Sequence, residues 1–102
     1  MIVSNQSPYQ LLIHALFTIQ SESELSSVLQ DLLTDAERQE FARRFEIARL
    51  LWTTQDSYLE IAAQVKTSTT TVTRVAAWLF KEKWQGYATL LKRLYGEAVR
   101  SI

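Results

Sequence analysis

The chain has 102 residues, 47% of them hydrophobic, and this length predicts one domain with a core of its own. Two glycines and one proline exclude a turn-rich β fold and a disordered chain, and the absence of cysteine excludes disulfides and thiolate metal sites. No apolar run approaches the roughly 20 residues that span a bilayer and no cationic leader starts the chain, so we expect a cytoplasmic protein without a membrane partner.

Start signals at four points in the chain predict helices. Each signal is a Ser or Thr N-cap, followed either by a proline or, three residues later, by a Glu that can complete a capping box. The signals are Ser7 with Pro8, Ser21 with Glu24, Thr34 with Glu37, and Ser57 with Glu60. Apolar residues recur at helical spacing behind them, and no alternating strand pattern competes. We therefore predict an all-α domain of about six helices.

The predicted helices form four segments of a single domain, 1–102. The segments are N-terminal helices at 7–33, a long core helix at 34–53, a helix-turn-helix at 57–81 and a C-terminal helix at 84–102. One face of the long helix is predicted to hold Phe41, Phe45, Ala48, Leu51 and Trp52. The last helix is predicted to run from Tyr87 to about Arg100, with Leu90, Leu91 and Leu94 as its apolar residues.

The stretch VKTSTTTVTR, residues 65–74, is rich in threonine, which is a mediocre helix former. On a helical wheel, however, an apolar seam lies opposite a polar strip. The seam holds Val72, Val75, Ala76 and Leu79, and the strip holds Thr70, Arg74, Ala77 and Lys81. A short helix and a tight turn precede this segment. The arrangement is typical of a helix-turn-helix, whose second helix enters the major groove of DNA.

The chemistry of this helix suits DNA in several respects. Small side chains let its backbone approach the base edges, and threonine can contact phosphates, bases or the thymine methyl group. Residues 1–65 hold nine acidic and four basic side chains, whereas residues 66–102 hold two and seven, as expected if one face meets a polyanion. Plain helix packing with a solvated basic surface remains the alternative, and Lys66 stands where such a turn most often has glycine.

Residues 33–79 read LTDAERQEFARRFEIARLLWTTQDSYLEIAAQVKTSTTTVTRVAAWL, and this run resembles the Trp repressor family without a gap. The closer likeness is to its YerC/YecD-type branch, where T-x-x-E, Y-x-x-I-A and S-T-x-T-V-x-R-V recur in this order. The closing WQGYATLLKRL also looks like the tail of that branch.

The resemblance implies an intertwined all-α homodimer whose N-terminal helices interlock and whose two helix-turn-helix units meet successive major grooves of double-stranded DNA. The recognition residues it implies are Ser68, Thr69, Thr70, Thr71 and Thr73, with Tyr58 and Leu59 nearer the DNA backbone. Lys66, Arg74 and Lys81 complete the predicted DNA-binding set as cations. Three Trp, four Tyr and four Phe agree with a core shared between subunits, although a monomer core is the alternative.

The family's amino-acid effector site is only partly retained. Thr34, Arg44 and Arg74 match positions that contact tryptophan in the family's namesake, where two arginines sandwich the indole. Val75 replaces an expected glycine, however, and Trp78 replaces a small serine. We therefore predict a vestigial pocket (Thr34, Arg44, Arg74, Val75 and Trp78), no tryptophan corepressor and no other cofactor, with Trp78 filling part of the vacated space.

Residues for catalysis are scarce. The single histidine, His14, lies on an amphipathic helix and is predicted to be a boundary or dimer-interface residue, and neither a zinc site nor a glycine-rich phosphate loop can be assembled. We predict a non-enzymatic DNA-binding transcriptional regulator, a repressor, without metal. The alternative is a helical protein-interaction or accessory module that keeps the fold without specific DNA binding, motivated by the neutral net charge and Lys66.

Overall fold

The computed structural model describes residues 6–100 and forms six α-helices in this range. They are α1 (Pro8–Leu16), α2 (Glu22–Leu32), α3 (Asp35–Thr53), α4 (Tyr58–Val65), α5 (Thr69–Phe80) and α6 (Gly86–Tyr95). No strand occurs between residues 6 and 100, which confirms the all-α prediction. The chain divides into two compact units, one ending at Arg38 and one beginning at Gln39.

Reciprocal capping fixes the start of three helices, two of them at predicted capping boxes and the third, at Ser7, where only an N-cap and a proline were predicted. The hydroxyl of Ser57 accepts from the backbone N–H of Glu60, 3.0 Å away, and the Glu60 carboxylate accepts from the N–H of Ser57. The same exchange occurs at Thr34 with Glu37, and at Ser7 with Gln10. The box predicted at the start of α2 forms only in half, because the Glu24 carboxylate accepts from the N–H of Gln20 instead of Ser21.

The unit that ends at Arg38 contains α1 and α2, and neither helix has a buried residue. Their apolar side chains are present at helical spacing, but some are only half-buried and others lie in solvent. Phe17 is 92% exposed and Tyr9 71%, and Ile13, Leu25 and Leu32 are also exposed. An amphipathic helix gains most of its stability from packing of its apolar face, so these faces lack their stabilising partner.

The unit that begins at Gln39 contains the core. Its buried residues are Ile47, Ala48, Leu50, Leu51, Trp52, Ile61, Ala62, Val72, Val75, Ala76, Leu79 and Leu91. All four seam residues predicted for α5 are among them. Phe41 was predicted to share the buried face of α3 but is 47% exposed, because it precedes the first core residue, Ile47, by more than one turn.

The predicted extent of the last helix was wrong. Helix α6 ends at Tyr95 because Gly96 adopts φ 83 and ψ −154, a backbone conformation that glycine tolerates and that does not continue a helix. Residues 97–100 instead return to the end of α3. Of the three predicted apolar residues of α6 only Leu91 is buried, whereas Leu90 and Leu94 are exposed.

Candidate nucleic-acid interface

Helices α4 and α5 are joined by a three-residue turn at positions 66–68. Lys66 ends α4 with φ 61 and ψ 52, a left-handed conformation, and Ser68 is the N-cap of α5. The N–H of Thr67 donates to the carbonyl of Ala62, 2.9 Å away, and closes the end of α4. Buried side chains on both helices, Ile61 and Ala62 on α4 and the seam of α5, hold the pair together. This is the predicted helix-turn-helix.

The left-handed Lys66 is the costly residue in this turn. A residue with a Cβ pays about 1 kcal/mol for this conformation, whereas glycine pays almost nothing. The lysine side chain is exposed, so it contributes a cation to the surface of the turn. Among residues 6–100 the only other non-glycine position with positive φ is Gln85, in the turn between α5 and α6.

The threonines at the start of α5 differ in what their hydroxyls do. The Ser68 hydroxyl accepts from the N–H of Thr71 and lies 3.1 Å from the Thr71 hydroxyl, and the Thr73 hydroxyl donates to the carbonyl of Thr69 at 2.9 Å. Within residues 6–100 no hydrogen bond uses the hydroxyl of Thr69 or Thr70, and both residues are exposed. These two hydroxyls therefore remain available to a partner.

The polar strip of α5 presents two cations to solvent. Arg74 and Lys81 are exposed, and neither forms an ion pair in the part of the chain that the structure describes. Directly beside Arg74, Val75 is fully buried. The N-terminal residues of α5 and its cations thus lie away from the core, as the wheel predicted.

The start of α4 supplies the two further predicted contacts. Tyr58 is half-buried and packs against the core, whereas Leu59 is 72% exposed. The Ser57 and Glu60 capping box immobilises the first turn that holds them. Tyr58 consequently offers only part of its side chain to a partner, while most of the Leu59 side chain is accessible.

Two of the predicted effector residues, Arg44 and Trp78, lie close together. The Arg44 guanidinium lies 5.6 Å from the ring of Trp78 and 5.5 Å from that of Phe41, and its Nε is 3.3 Å from the Glu40 carboxylate. Burial raises the pKa of the Tyr87 hydroxyl, and the positive charge of Arg44 partly opposes that rise. Arg44 therefore occupies an aromatic cluster formed by the chain itself.

Within the unit that begins at Gln39, Arg74 and Val75 do not join this cluster. Arg74 projects from the exposed strip, while Val75 is buried in the core. Thr34 belongs to the other unit, where its hydroxyl accepts from the N–H of Glu37 at 3.1 Å. The assignment of these five residues to a vestigial pocket remains a prediction.

Two further features were missed from the sequence. Trp78, Trp84, Tyr87 and Leu90 line a groove of about 580 Å³ between α5 and α6. The Arg100 guanidinium donates to the backbone carbonyls of Thr54 and Asp56. A tryptophan in the polar stretch after α5, Trp84, is the sequence feature that could have indicated the groove. Nothing in the sequence pattern indicates the partners of Arg100.

The structure also bears on metals and membranes. Residues 6–100 contain no group of three or more His, Cys, Asp or Glu side chains arranged to hold a metal ion. None of the helices described in this range combines the length and apolar character needed to cross a bilayer.

Comparison with known proteins gives one match. Residues 7–95 match the family model described as Trp repressor protein, which covers the helix-turn-helix and all six helices. No curated protein and no solved structure matches the chain.

Proposed function

The chain belongs to the Trp repressor family, a family of helix-turn-helix DNA-binding regulators, and from this premise we propose that it is a sequence-specific transcriptional repressor. The observation that supports this proposal best is the start of α5, where Thr69 and Thr70 expose hydroxyls without an intramolecular partner among the described residues. We place the protein in the YerC/YecD-type branch on its S-T-x-T-V-x-R-V motif, residues 68–75. Its DNA target gives it a cytoplasmic location.

Recognition would follow from the geometry of α5. Thr69 and Thr70 reach base edges in the major groove through their hydroxyls and methyl groups, and Ser68, Thr71 and Thr73 line the approach. Lys66, Arg74 and Lys81 neutralise phosphates, while Tyr58 and Leu59 contact the DNA backbone from α4. The mechanism requires binding alone, with no catalytic step and no metal.

A homodimer would place two such helices on one operator. The exposed apolar faces of α1 and α2, with Phe17 and Tyr9 largely in solvent, support burial against a second copy of this chain. A two-fold dimer presents its recognition helices about 34 Å apart, one turn of DNA, and therefore favours a palindromic site. His14 lies on the exposed surface of α1 and would belong to this interface.

The repressor would act without tryptophan. Trp78 lies over the guanidinium of Arg44, so an indole from the chain itself already occupies one face of that arginine. Arg74 is exposed and can contact phosphate instead of an amino-acid carboxylate. We propose that DNA binding is independent of any such corepressor.

The experiment that tests this function is a selection of genomic fragments on the purified protein, followed by affinity measurements across a salt series. A regulator enriches a palindromic site, and the logarithm of its affinity falls linearly with the logarithm of salt concentration. Absence of binding to any duplex at low salt would overturn the proposal. The same outcome would favour a helical protein-interaction module, which keeps the fold without binding DNA.

A further inference from the structure

Residues 96–100, here called the C-terminal strap, run along the end of α3. The N–H of Val99 donates to the carbonyl of Trp52 at 2.9 Å, and the Trp52 indole N–H donates to the carbonyl of Gly96 at 2.8 Å. The side-chain amide of Gln55 donates to the carbonyl of Val99 at 2.6 Å. Donors therefore lie on both segments, so each segment holds the other in one register.

Arg100 completes the strap at its end. Its Nε and Nη2 donate to the carbonyl of Thr54 at 3.1 and 2.6 Å, and Nη2 also donates to the carbonyl of Asp56 at 2.9 Å. Thr54 directly follows the end of α3, where the helix dipole leaves partial negative charge, so a guanidinium there is favourable. Arg100 is half-buried, which limits the competition of water for these bonds.

The carbonyls that Arg100 holds belong to the loop that leads into the helix-turn-helix. Asp56 directly precedes Ser57, the N-cap of α4. The Asp56 carboxylate also accepts from the side-chain amide of Gln64, near the far end of α4, at 2.9 Å. Asp56 is thus fixed to the strap through its backbone and to α4 through its side chain.

We infer that Arg100 is a positioning residue for DNA recognition: through Thr54 and Asp56 it sets the orientation of α4 and α5 relative to α3. This inference rests on the proposed DNA-binding function. Without Arg100 the loop samples other conformations, and only the fraction with the correct orientation fits two successive grooves. The core, which draws its residues from α3, α4, α5 and α6, does not include Arg100, so the fold is expected to survive its loss.

The test compares Arg100→Ala with Arg93→Ala, which removes the same charge from an exposed position on α6. Arg100→Ala is expected to lower operator affinity about tenfold, the loss expected if only a tenth of the molecules have the binding-competent orientation. Affinity for generic duplex DNA is expected to fall much less. Arg93→Ala is expected to change both by a similar small factor. Arg100→Lys, which keeps a donor but not the forked geometry, should restore part of the loss.

Hydrogen exchange of the free protein supplies a readout that does not depend on DNA. Amides of residues 54–65 should exchange faster in Arg100→Ala than in wild type or Arg93→Ala, while those of α2 stay unchanged. Equal operator affinity and equal exchange in the two alanine variants would overturn the inference. If Arg100→Ala does not fold, operator affinity and hydrogen exchange are measured on Arg100→Lys instead, and values equal to those of Arg93→Ala would overturn the inference. Wild-type protein that binds no DNA would instead defeat the proposed function, and the exchange data would still test the strap.

Discussion

The Arg44 guanidinium on α3 lies close to two rings of its own chain, 5.6 Å from that of Trp78 on α5 and 5.5 Å from that of Phe41. Cation–π contacts of this kind contribute about 0.5–1 kcal/mol each at partly exposed sites. The cluster therefore joins the recognition helix to the long core helix without any ligand.

The first prediction is that L-tryptophan does not bind. Because Trp78 packs against Arg44 and Val75 is fully buried next to Arg74, the indole of the chain itself already occupies part of the space that a free indole would need. Isothermal titration of the purified protein should give no binding heat, and operator affinity should be the same with and without L-tryptophan. Micromolar binding at about one site per subunit would contradict this, and Trp78→Ser tests whether removing the indole opens the site.

The second prediction concerns sequence discrimination by Thr70. Its hydroxyl is exposed and has no partner within the described residues, so Thr70→Ala should leave the thermal midpoint nearly unchanged. It should reduce discrimination at one base pair of each half-site by about 1–3 kcal/mol. Thr89→Ala is the matched control, because that exposed threonine lies on α6 and donates to the carbonyl of Gln85. Equal operator preference in both variants would exclude Thr70 from base contact.

The third prediction separates phosphate contact from base contact. Arg74 is exposed and unpaired within residues 6–100, so Arg74→Ala should weaken binding to all duplexes by a similar factor. The slope of log affinity against log salt should become shallower by about 1 for each phosphate that the arginine no longer neutralises. A change confined to one sequence, with an unaltered slope, would assign Arg74 to a base. Lys92→Ala removes a cation that is already paired with Glu97 and serves as control.

The helix starts and the polarity of α5 were predictable because both depend on local spacing. Ser57 with Glu60 satisfies donors only three residues apart, and Val72 and Val75 face inward through helical geometry alone. The strap was not predictable, because the bonds of Arg100 to Thr54 and Asp56 span more than 40 residues and leave no periodic trace. Phe41 was misplaced since periodicity identifies a face of a helix but not where along it the core begins.

The fourth prediction is that one substitution, Lys66→Gly, raises the stability of the fold and lowers its affinity for DNA. Lys66→Gly relieves a left-handed conformation and should raise the free energy of unfolding by up to about 1 kcal/mol, measured by urea denaturation. It should also lower DNA affinity, because a cation leaves the turn of the helix-turn-helix. Gln85→Gly is the control, since Gln85 is also left-handed but lies outside the proposed interface. A gain in stability without loss of DNA affinity would show that Lys66 does not contact DNA.

The fifth prediction tests the shared N-terminal interface. Phe17 is 92% exposed in the single chain, so a monomer should tolerate Phe17→Glu with little change in stability. A dimer that buries this side chain would have to desolvate the new carboxylate, which costs several kcal/mol when no partner charge is present. Sedimentation equilibrium should show two copies for wild type and for Leu59→Glu, an apolar and largely exposed position on α4, but dissociation for Phe17→Glu. Because the proposed dimer engages one operator with two recognition helices, Phe17→Glu should lose operator affinity more steeply than affinity for generic duplex. A Phe17→Glu variant that stays dimeric would show that the interface does not include Phe17.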